Sequence, residues 1–309
     1  MNDLRDEFFD ELVFLAKNNS NVILLTADMG AQGLEKFQKE LPKQFFNVGI
    51  SEQNLISVAA GLALAGKKVY VYTISAFLIQ RALDQIKVDL CGMNLPVTLV
   101  GVGGGISYTY DAFTHHIPQD IAIMNSLPNM TIRCPYDIET TRQSVLLTFT
   151  SKSPCYIRLE KGDLLNLNLS VLSKIEGINI FLRGDACTVI TYGRLIHKIL
   201  PIACHTTITG GSVGCMGIER IKPFPEEVFI EQIKNVEHLI IVEEHSRIGG
   251  LGSIISEILV RRNISKKVSF YNLEDKVCNL SGDEDFIYSY YGLNLKKLRT
   301  DIFEEVIKK

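Results

Sequence analysis

FFNVGISEQNLISVAAGLALAGKKV, residues 45–69, reads as the end of a strand, a tight turn, a helix and the start of the next strand. Ser51 stands where a helix N-cap is expected, which puts Glu52 and Gln53 in the first helical turn. An acid there complements the helix dipole and by itself signals nothing more. The helix that follows, Leu55–Gly66, is rich in small residues, and Ala59, Ala60, Gly61 and Ala63 allow close packing against a neighbour. A strand end that opens onto a helix is also where α/β proteins bind ligands.

Working outward, short β-branched runs alternate with segments of helical period, the pattern of parallel sheets covered by helices on both faces. The predicted strands before the middle of the chain are Val22–Thr26, Phe45–Val48, Val69–Thr73, Val97–Val102, Met130–Arg133 and Tyr156–Leu159. Between the third and fourth, Phe77–Met93 places Ile79, Leu83, Ile86 and Leu90 on one face and predicts a single buried crossover helix. A second series follows, with strands at Cys187–Thr191, Thr206–Thr209, Leu239–Val242 and Val268–Tyr271 and helices near Glu226–Lys234 and Leu251–Arg262. The expected fold is α/β, two successive domains with mainly parallel sheets: residues 1–165, a linker over 166–184, and 185–309.

The chain has 309 residues, enough for two cores, and 46% of them are hydrophobic against 22% charged, which excludes a disordered or fibrous protein. A formal charge of -3 leaves no basic excess for phosphate backbones or anionic membranes, so neither nucleic acid nor membrane is an expected partner. Seven scattered cysteines without a C-x-x-C read as reduced thiols. The first twenty residues carry acids among their apolar positions, unlike a signal peptide, and the expected location is cytoplasmic.

Residues 45–69 resemble the pyrimidine-binding domain of transketolases and deoxyxylulose-phosphate synthases. The likeness continues through SAFLIQRALDQIKVDLCGMNLPVTLVGVG (75–103), DAFTHH (111–116) and LPNMTIRCPYDIETTRQ (127–143). Further on, ERIKPFPEE (219–227) and VEEHSRIGGLGS (242–253) resemble the C-terminal domain of the same family. The resemblance implies thiamine diphosphate as cofactor, with Glu52 hydrogen-bonded to its aminopyrimidine ring and acting as the catalytic carboxyl. A ring so protonated favours the imino tautomer, a base beside the thiazolium carbon, and a buried site suits a carboxyl that holds a proton.

The same resemblance implies roles for other residues. Phe77 would lie beside the pyrimidine ring, where flat apolar surface favours it, while the family's other aromatic positions hold Gln80 and Leu83. Arg81 resembles an arginine of the synthase pattern, although a helix-surface ion pair explains it as simply. Asp28 matches the acid after the first strand and is assigned to the cofactor. His115 would contact substrate oxygens or shuttle protons, and Asp111 would recognise a substrate hydroxyl; Ala112 and Phe113 replace the family's Gly and Pro between them. The bland reading of His115 and His116 is a pair of surface-loop imidazoles. Arg5, 23 residues before Asp28, has the spacing of a phosphate-gripping arginine. Gly103, Gln32 and Cys134 depart from the family's His, Ser and Arg at that phosphate site.

Two glycine-rich runs invite a nucleotide reading. Val102–Gly105 lacks the G-x-G-x-x-G spacing, and Gly249–Ser253, although it has the form of a helix N-terminus able to hold an anion, lies in the domain that carries no cofactor in the resembled family, so its glycines are expected to permit tight turns and subunit contacts. Transketolases carry a preceding domain with a Gly-Asp-Gly motif and Asn ligands for Mg²⁺ and diphosphate; the nearest string here is Gly282-Asp283-Glu284-Asp285, without those ligands. No metal ligand is therefore assigned to this chain, and Mg²⁺ is expected to be held mainly by a companion subunit, in an α2β2 heterotetramer. Three functions compete: the pyrimidine-binding subunit of a split transketolase moving a two-carbon glycolaldehyde unit from a ketose to an aldose, which Gly49–Gln53 and Pro128–Met130 favour by their likeness to transketolase; the β subunit of a 2-oxoacid dehydrogenase complex; and a non-catalytic regulatory subunit that keeps the fold, against which Glu52 with His115 argues.

Overall fold

The computed structural model describes residues 3–162, 171–208 and 211–307. Strands β1 (Val22–Thr26), β2 (Phe45–Asn47), β3 (Lys68–Ile74), β4 (Val97–Val102), β5 (Thr131–Arg133) and β6 (Cys155–Leu159) form a parallel sheet in the order β5-β6-β4-β3-β1-β2. The remaining strands are β7 (Ser173–Ile175), β8 (Ile178–Leu182), β9 (Cys187–Thr191), β10 (Val213–Ile218), β11 (Arg220–Lys222), β12 (His238–Ser246) and β13 (Lys267–Leu273). All but β11 form a second sheet, β13-β12-β9-β10-β8-β7, parallel except at β7 and β8. β11 crosses over and pairs antiparallel with β5, so the second half of the chain completes the edge of the first sheet.

Burial on both faces explains why these strands read as continuous apolar runs. In β3, Val69 and Val71 pack with Leu55, Ile56 and Ala59 of helix Glu52–Leu64. Tyr70 and Tyr72, pointing the other way, pack with Phe8 and Leu12 of helix Leu4–Asn18 and with Val145 of helix Ile138–Thr150. The strands of the first sheet and the small-residue helix thus form where the sequence placed them.

Four expectations differ from the structure. The crossover Phe77–Met93 is not one helix: Ser75–Arg81 ends at Ala82, a short turn follows, and Ile86–Gly92 is π-helical. The wider turn lets Ile86, Leu90 and Cys91 all face inward. Ser51 makes no side-chain cap; its Oγ donates to the Val48 carbonyl at 3.2 Å, which ties the turn to the strand instead. The expected strand at Thr206–Thr209 is wrong. Residues up to Ile208 end helix Ile196–Ile208, the strand lies later at β10, and Thr209 falls outside the described residues. β-branched Thr206 and Thr207 are accommodated because their hydroxyls donate to the carbonyls of Ile202 and Ala203, four residues back. Finally, β7 and β8 lie within the stretch 166–184 read as a linker, of which residues 166–170 are outside the described residues.

The two halves meet around Arg158, whose side chain is fully buried. Its Nε donates to Asp120 at 2.8 Å, Nη1 to Glu160, and Nη2 to the Glu244 carbonyl at 3.2 Å. His245 accepts the Ala122 N–H at Nε2 (3.2 Å) and donates from Nδ1 to the Ser246 carbonyl (2.7 Å), which defines a neutral tautomer. Burial lowers its pKa accordingly.

Burial pushes Glu243 up to about 7, against the N–H groups of Gly252 and Leu251. Burial also raises Glu244 to about 7, with Glu160 adding to the rise and Arg158 opposing it. Carboxyls raised above their unfolded value stabilise the fold fully at low pH and lose that contribution as pH rises through about 7. The buried histidines His116, His197 and His245 are lowered and keep their contribution above about pH 6.5. The chain is therefore expected to lose on the order of 1 kcal/mol between pH 6.5 and 8. Thermal melts at the two pH values check this, and Glu243→Gln, which cannot ionise, should flatten the slope.

Candidate active site

The C-terminal ends of β1, β2, β3 and β4 lie side by side, where an open α/β sheet binds ligands. From β1 the chain runs into Asp28, held at φ +52°. Its N–H donates to Asn47 Oδ1 at 2.9 Å, and Asn47 Nδ2 returns a bond to Asp28 Oδ1 at 3.2 Å. Asn47 Oδ1 also accepts the Gly49 N–H at 3.0 Å. Gly49 has φ +79°, the left-handed conformation that glycine adopts without strain, so the turn into the Glu52 helix is set by Asn47 on one side and Gly49 on the other.

Glu52 is 5% exposed, and its Oε1 accepts from Arg81 Nη1 at 3.0 Å. Arg81 is half exposed and its guanidinium carbon sits 4.0 Å from the centroid of the Phe77 ring. The Phe77 ring meets His115 edge-on, centroids 5.0 Å apart, and His115 meets Tyr108 at 5.6 Å. Lys161 Nζ lies 4.6 Å over Tyr108. One continuous row therefore joins Glu52, Arg81, Phe77, His115 and Tyr108, drawn from two helices and the long loop after β4. Thr114 Oγ1 lies 3.0 Å from His115 Nδ1, which leaves Nε2 as the ring nitrogen without a hydrogen-bond partner among the described contacts.

Arg81 now occupies both surfaces an aminopyrimidine would use, the Phe77 face and the Glu52 carboxyl. A planar cation that stacks and donates is a fair chemical stand-in for that ring. Being half exposed, it can swing out at a cost of about 1 kcal/mol or less. The residues present fit the aminopyrimidine.

Other sequence candidates are placed differently. Arg5 is not presented as an open fork: Nε and Nη2 donate to both oxygens of Asp3 at 2.6–3.0 Å, and Asp3 is also the cap of that helix. Arg5 does line a separate polar hollow with Gln32 and Gly33. Cys134 is fully buried, and Arg133 beside it, the nearest arginine in sequence, is engaged by Glu219 at 2.6 Å. A Cβ on Gly103 would come within 2.0 Å of the Tyr108 ring, so this aromatic fills the room beside Gly103. Asp111 is exposed on the loop. His116 is not a surface imidazole: it is buried, with Nε2 3.1 Å from the Tyr108 carbonyl and Nδ1 3.3 Å from the Tyr291 hydroxyl. The N-terminus of helix Leu251–Arg261 takes no external anion, because Glu243 already accepts from Leu251 N (2.7 Å) and Gly252 N (3.1 Å). Tyr108, Lys161 and Asn47 were missed; Asn47 could have been found as a turn-former two residues before a glycine.

Ala112 has φ +57° and ψ −160°, a region open essentially to glycine alone. Ala112→Gly is expected to relieve about 1–3 kcal/mol of strain, partly offset by ~0.4–1 kcal/mol of added unfolded-state entropy. Denaturant titration should show a net gain. A loss of stability would mean that the loop does not hold this conformation.

Among the described residues no cluster of three or more His, Cys, Asp or Glu could hold a metal ion, and no helix is long and apolar enough to cross a membrane. Residues 2–165 match the family model for the transketolase pyrimidine binding domain, and residues 178–298 that for the transketolase C-terminal domain. The chain is 32% identical over 307 residues to an apulose-4-phosphate transketolase subunit of Phocaeicola vulgatus, covering 98% of this chain and 97% of that protein. It is 31% identical over 309 residues to a putative transketolase C-terminal section of Methanocaldococcus jannaschii, covering 99% and 96%. The solved structure of a split gene transketolase, an inactive beta4 tetramer, superposes with a TM-score of 0.81 at 28% identity over 99% of this chain and 97% of that one. Matched along nearly its whole length by both domain models, in order, and by relatives of its own length, the chain belongs to the transketolase family.

Proposed function

We propose that this chain is the pyrimidine-binding subunit of a split, thiamine-diphosphate-dependent transketolase that moves a two-carbon glycolaldehyde unit from a ketose to an aldose. The observation that carries the reading is the buried Glu52 carboxyl set beside the Phe77 ring and His115 at the strand ends. Near-complete mutual coverage with a protein that is itself named as one subunit of a transketolase supports it. When bound, thiamine diphosphate supplies a nucleophilic carbon and an electron sink for carbon–carbon bond cleavage.

This chain's own residues do the rest. Glu52 exchanges a hydrogen bond with the aminopyrimidine ring and holds its proton, and Phe77 sets the plane of the ring. His115 faces the substrate and hydrogen-bonds its oxygens as charge moves onto them, oriented by Thr114. Asp111, exposed on the same loop, recognises a substrate hydroxyl. Mg²⁺ and the diphosphate are held mainly by a companion subunit, in an α2β2 assembly. Leu64, at the far end of the Glu52 helix, and Val88 and Met93, on and just after the π-helical segment packed against that helix, are exposed apolar residues that supply part of the contact.

Purification with candidate companion chains, followed by calorimetric titration of thiamine diphosphate and a ketose-to-aldose transfer assay, tests this. The isolated chain should bind the cofactor weakly and transfer nothing, and the pair should do both. In the pair, His115→Ala should lower kcat/KM by about 10²-fold or more with cofactor affinity unchanged. Full activity of the isolated chain, or collapse of cofactor affinity in the variant, would overturn the corresponding assignment.

A further inference from the structure

The loop between β4 and helix Asp120–Ser126 carries Tyr108, Asp111 and His115, yet much of what holds it comes from the other half of the chain. At its start, the Ile106 N–H donates to Glu244 Oε1 at 2.6 Å. Further along, Ser281 Oγ donates to the Tyr110 carbonyl at 2.9 Å, and the Phe113 N–H donates to the Cys278 carbonyl at 3.1 Å. His116 then meets the Tyr291 hydroxyl. At its end, the Ser246 N–H donates to the Pro118 carbonyl at 2.7 Å. The loop is thus stitched from both ends and the middle to segments 244–246 and 278–291.

Of these stitches, the one at Glu244 is built into the core. Glu244 is buried, its other oxygen accepts the Tyr288 hydroxyl at 2.5 Å, and Arg158 lies against its backbone. A Cβ on Gly105 would stand 2.4 Å from Glu244 Oε1, so the backbone can approach the carboxyl only because residue 105 is glycine, at φ +64°. Two residues past Ile106, Tyr108 stands against His115. We propose that Glu244 is a positioning residue: by accepting the Ile106 N–H it sets the backbone of the loop that presents Tyr108, Asp111 and His115. The C-terminal domain thereby shapes a site carried by a loop of the first domain. That consequence for catalysis rests on the proposed transfer function, whereas the positioning of the loop does not.

Two readouts separate the two. Amide hydrogen exchange on the full-length chain reads the loop directly. In Glu244→Ala, exchange of the amides of residues 106–116 is expected to speed up by roughly 10-fold or more, the scale of leaving a buried N–H without its acceptor. Amides of β1 and β9 should keep their rates. Glu244→Gln retains an oxygen acceptor and should restore most of the protection. Tyr288→Phe removes only the hydroxyl that steadies Glu244, so it tests the same point if the alanine variant fails to fold, and should give a smaller rise confined to the loop. Unchanged loop exchange in Tyr288→Phe and in the alanine variant, or a rise shared equally by both sheets, would overturn the proposal. In the assembled enzyme, the same variants should raise the donor KM with cofactor affinity unchanged; a fall in cofactor affinity alone would count against it. Absence of transfer in the wild-type pair would strike the proposed function and leave the exchange result to decide the positioning role.

Discussion

Glu52→Gln in the assembled enzyme is expected to lower transfer by about 10²–10⁴-fold or more, the range for removing a proton-transfer partner. The substitution keeps shape and a hydrogen-bonding oxygen but removes the exchangeable carboxyl proton. Because the only ion pair found for Glu52 among the described residues is with the half-exposed Arg81, the fold should lose no more than about 1 kcal/mol. A steady-state transfer assay paired with a thermal melt separates the two effects. Near-wild-type turnover would remove Glu52 from the chemistry, and an unfolded variant would move its role to structure.

Arg158→Ala has the largest expected effect on stability. It strips the guanidinium from Asp120 and Glu160, two carboxylates buried with it at the junction of the domains. Breaking a buried ionic group by removing one partner costs about 3–5 kcal/mol, because the remaining charges stay desolvated. That is a large share of the ~5–15 kcal/mol by which domains are stable. Chemical denaturation checks the loss. The triple variant Arg158→Met, Asp120→Asn, Glu160→Gln should recover much of it, since no charge is then left unpaired. If the triple variant is no better than the single one, lost packing rather than unpaired charge is the cause.

The first sheet was legible in the sequence because parallel strands buried on both faces are apolar along their whole length, as in Val22-Ile23-Leu24-Leu25-Thr26. Glu52 was legible for a different reason. A first-turn acid alone says no more than that it complements the helix dipole, and what singled Glu52 out was the resemblance of residues 45–69 to the pyrimidine-binding domain, at a strand end that opens onto a helix. Helix Ile196–Ile208 was misread in part, since Thr206 and Thr207 have strand propensity and only their bonds to carbonyls of the preceding turn reconcile them with a helix. Propensity is a local quantity, and the neighbours that override it were not in the local pattern.

What the sequence by itself determined is the two-sheet α/β architecture, the family, and the position of Glu52, each carried by residues close together in the chain. Only the tertiary structure decided how the candidates are used. Arg5 is occupied by Asp3 two residues away, while Arg81 reaches Glu52 across 29 positions. His115 joins Phe77, and its neighbour His116 turns inward toward Tyr291, 175 positions distant. Hydrogen bonds and ring contacts act over a few ångströms in space, and spacing along the chain carries that information only where both partners lie on one local element.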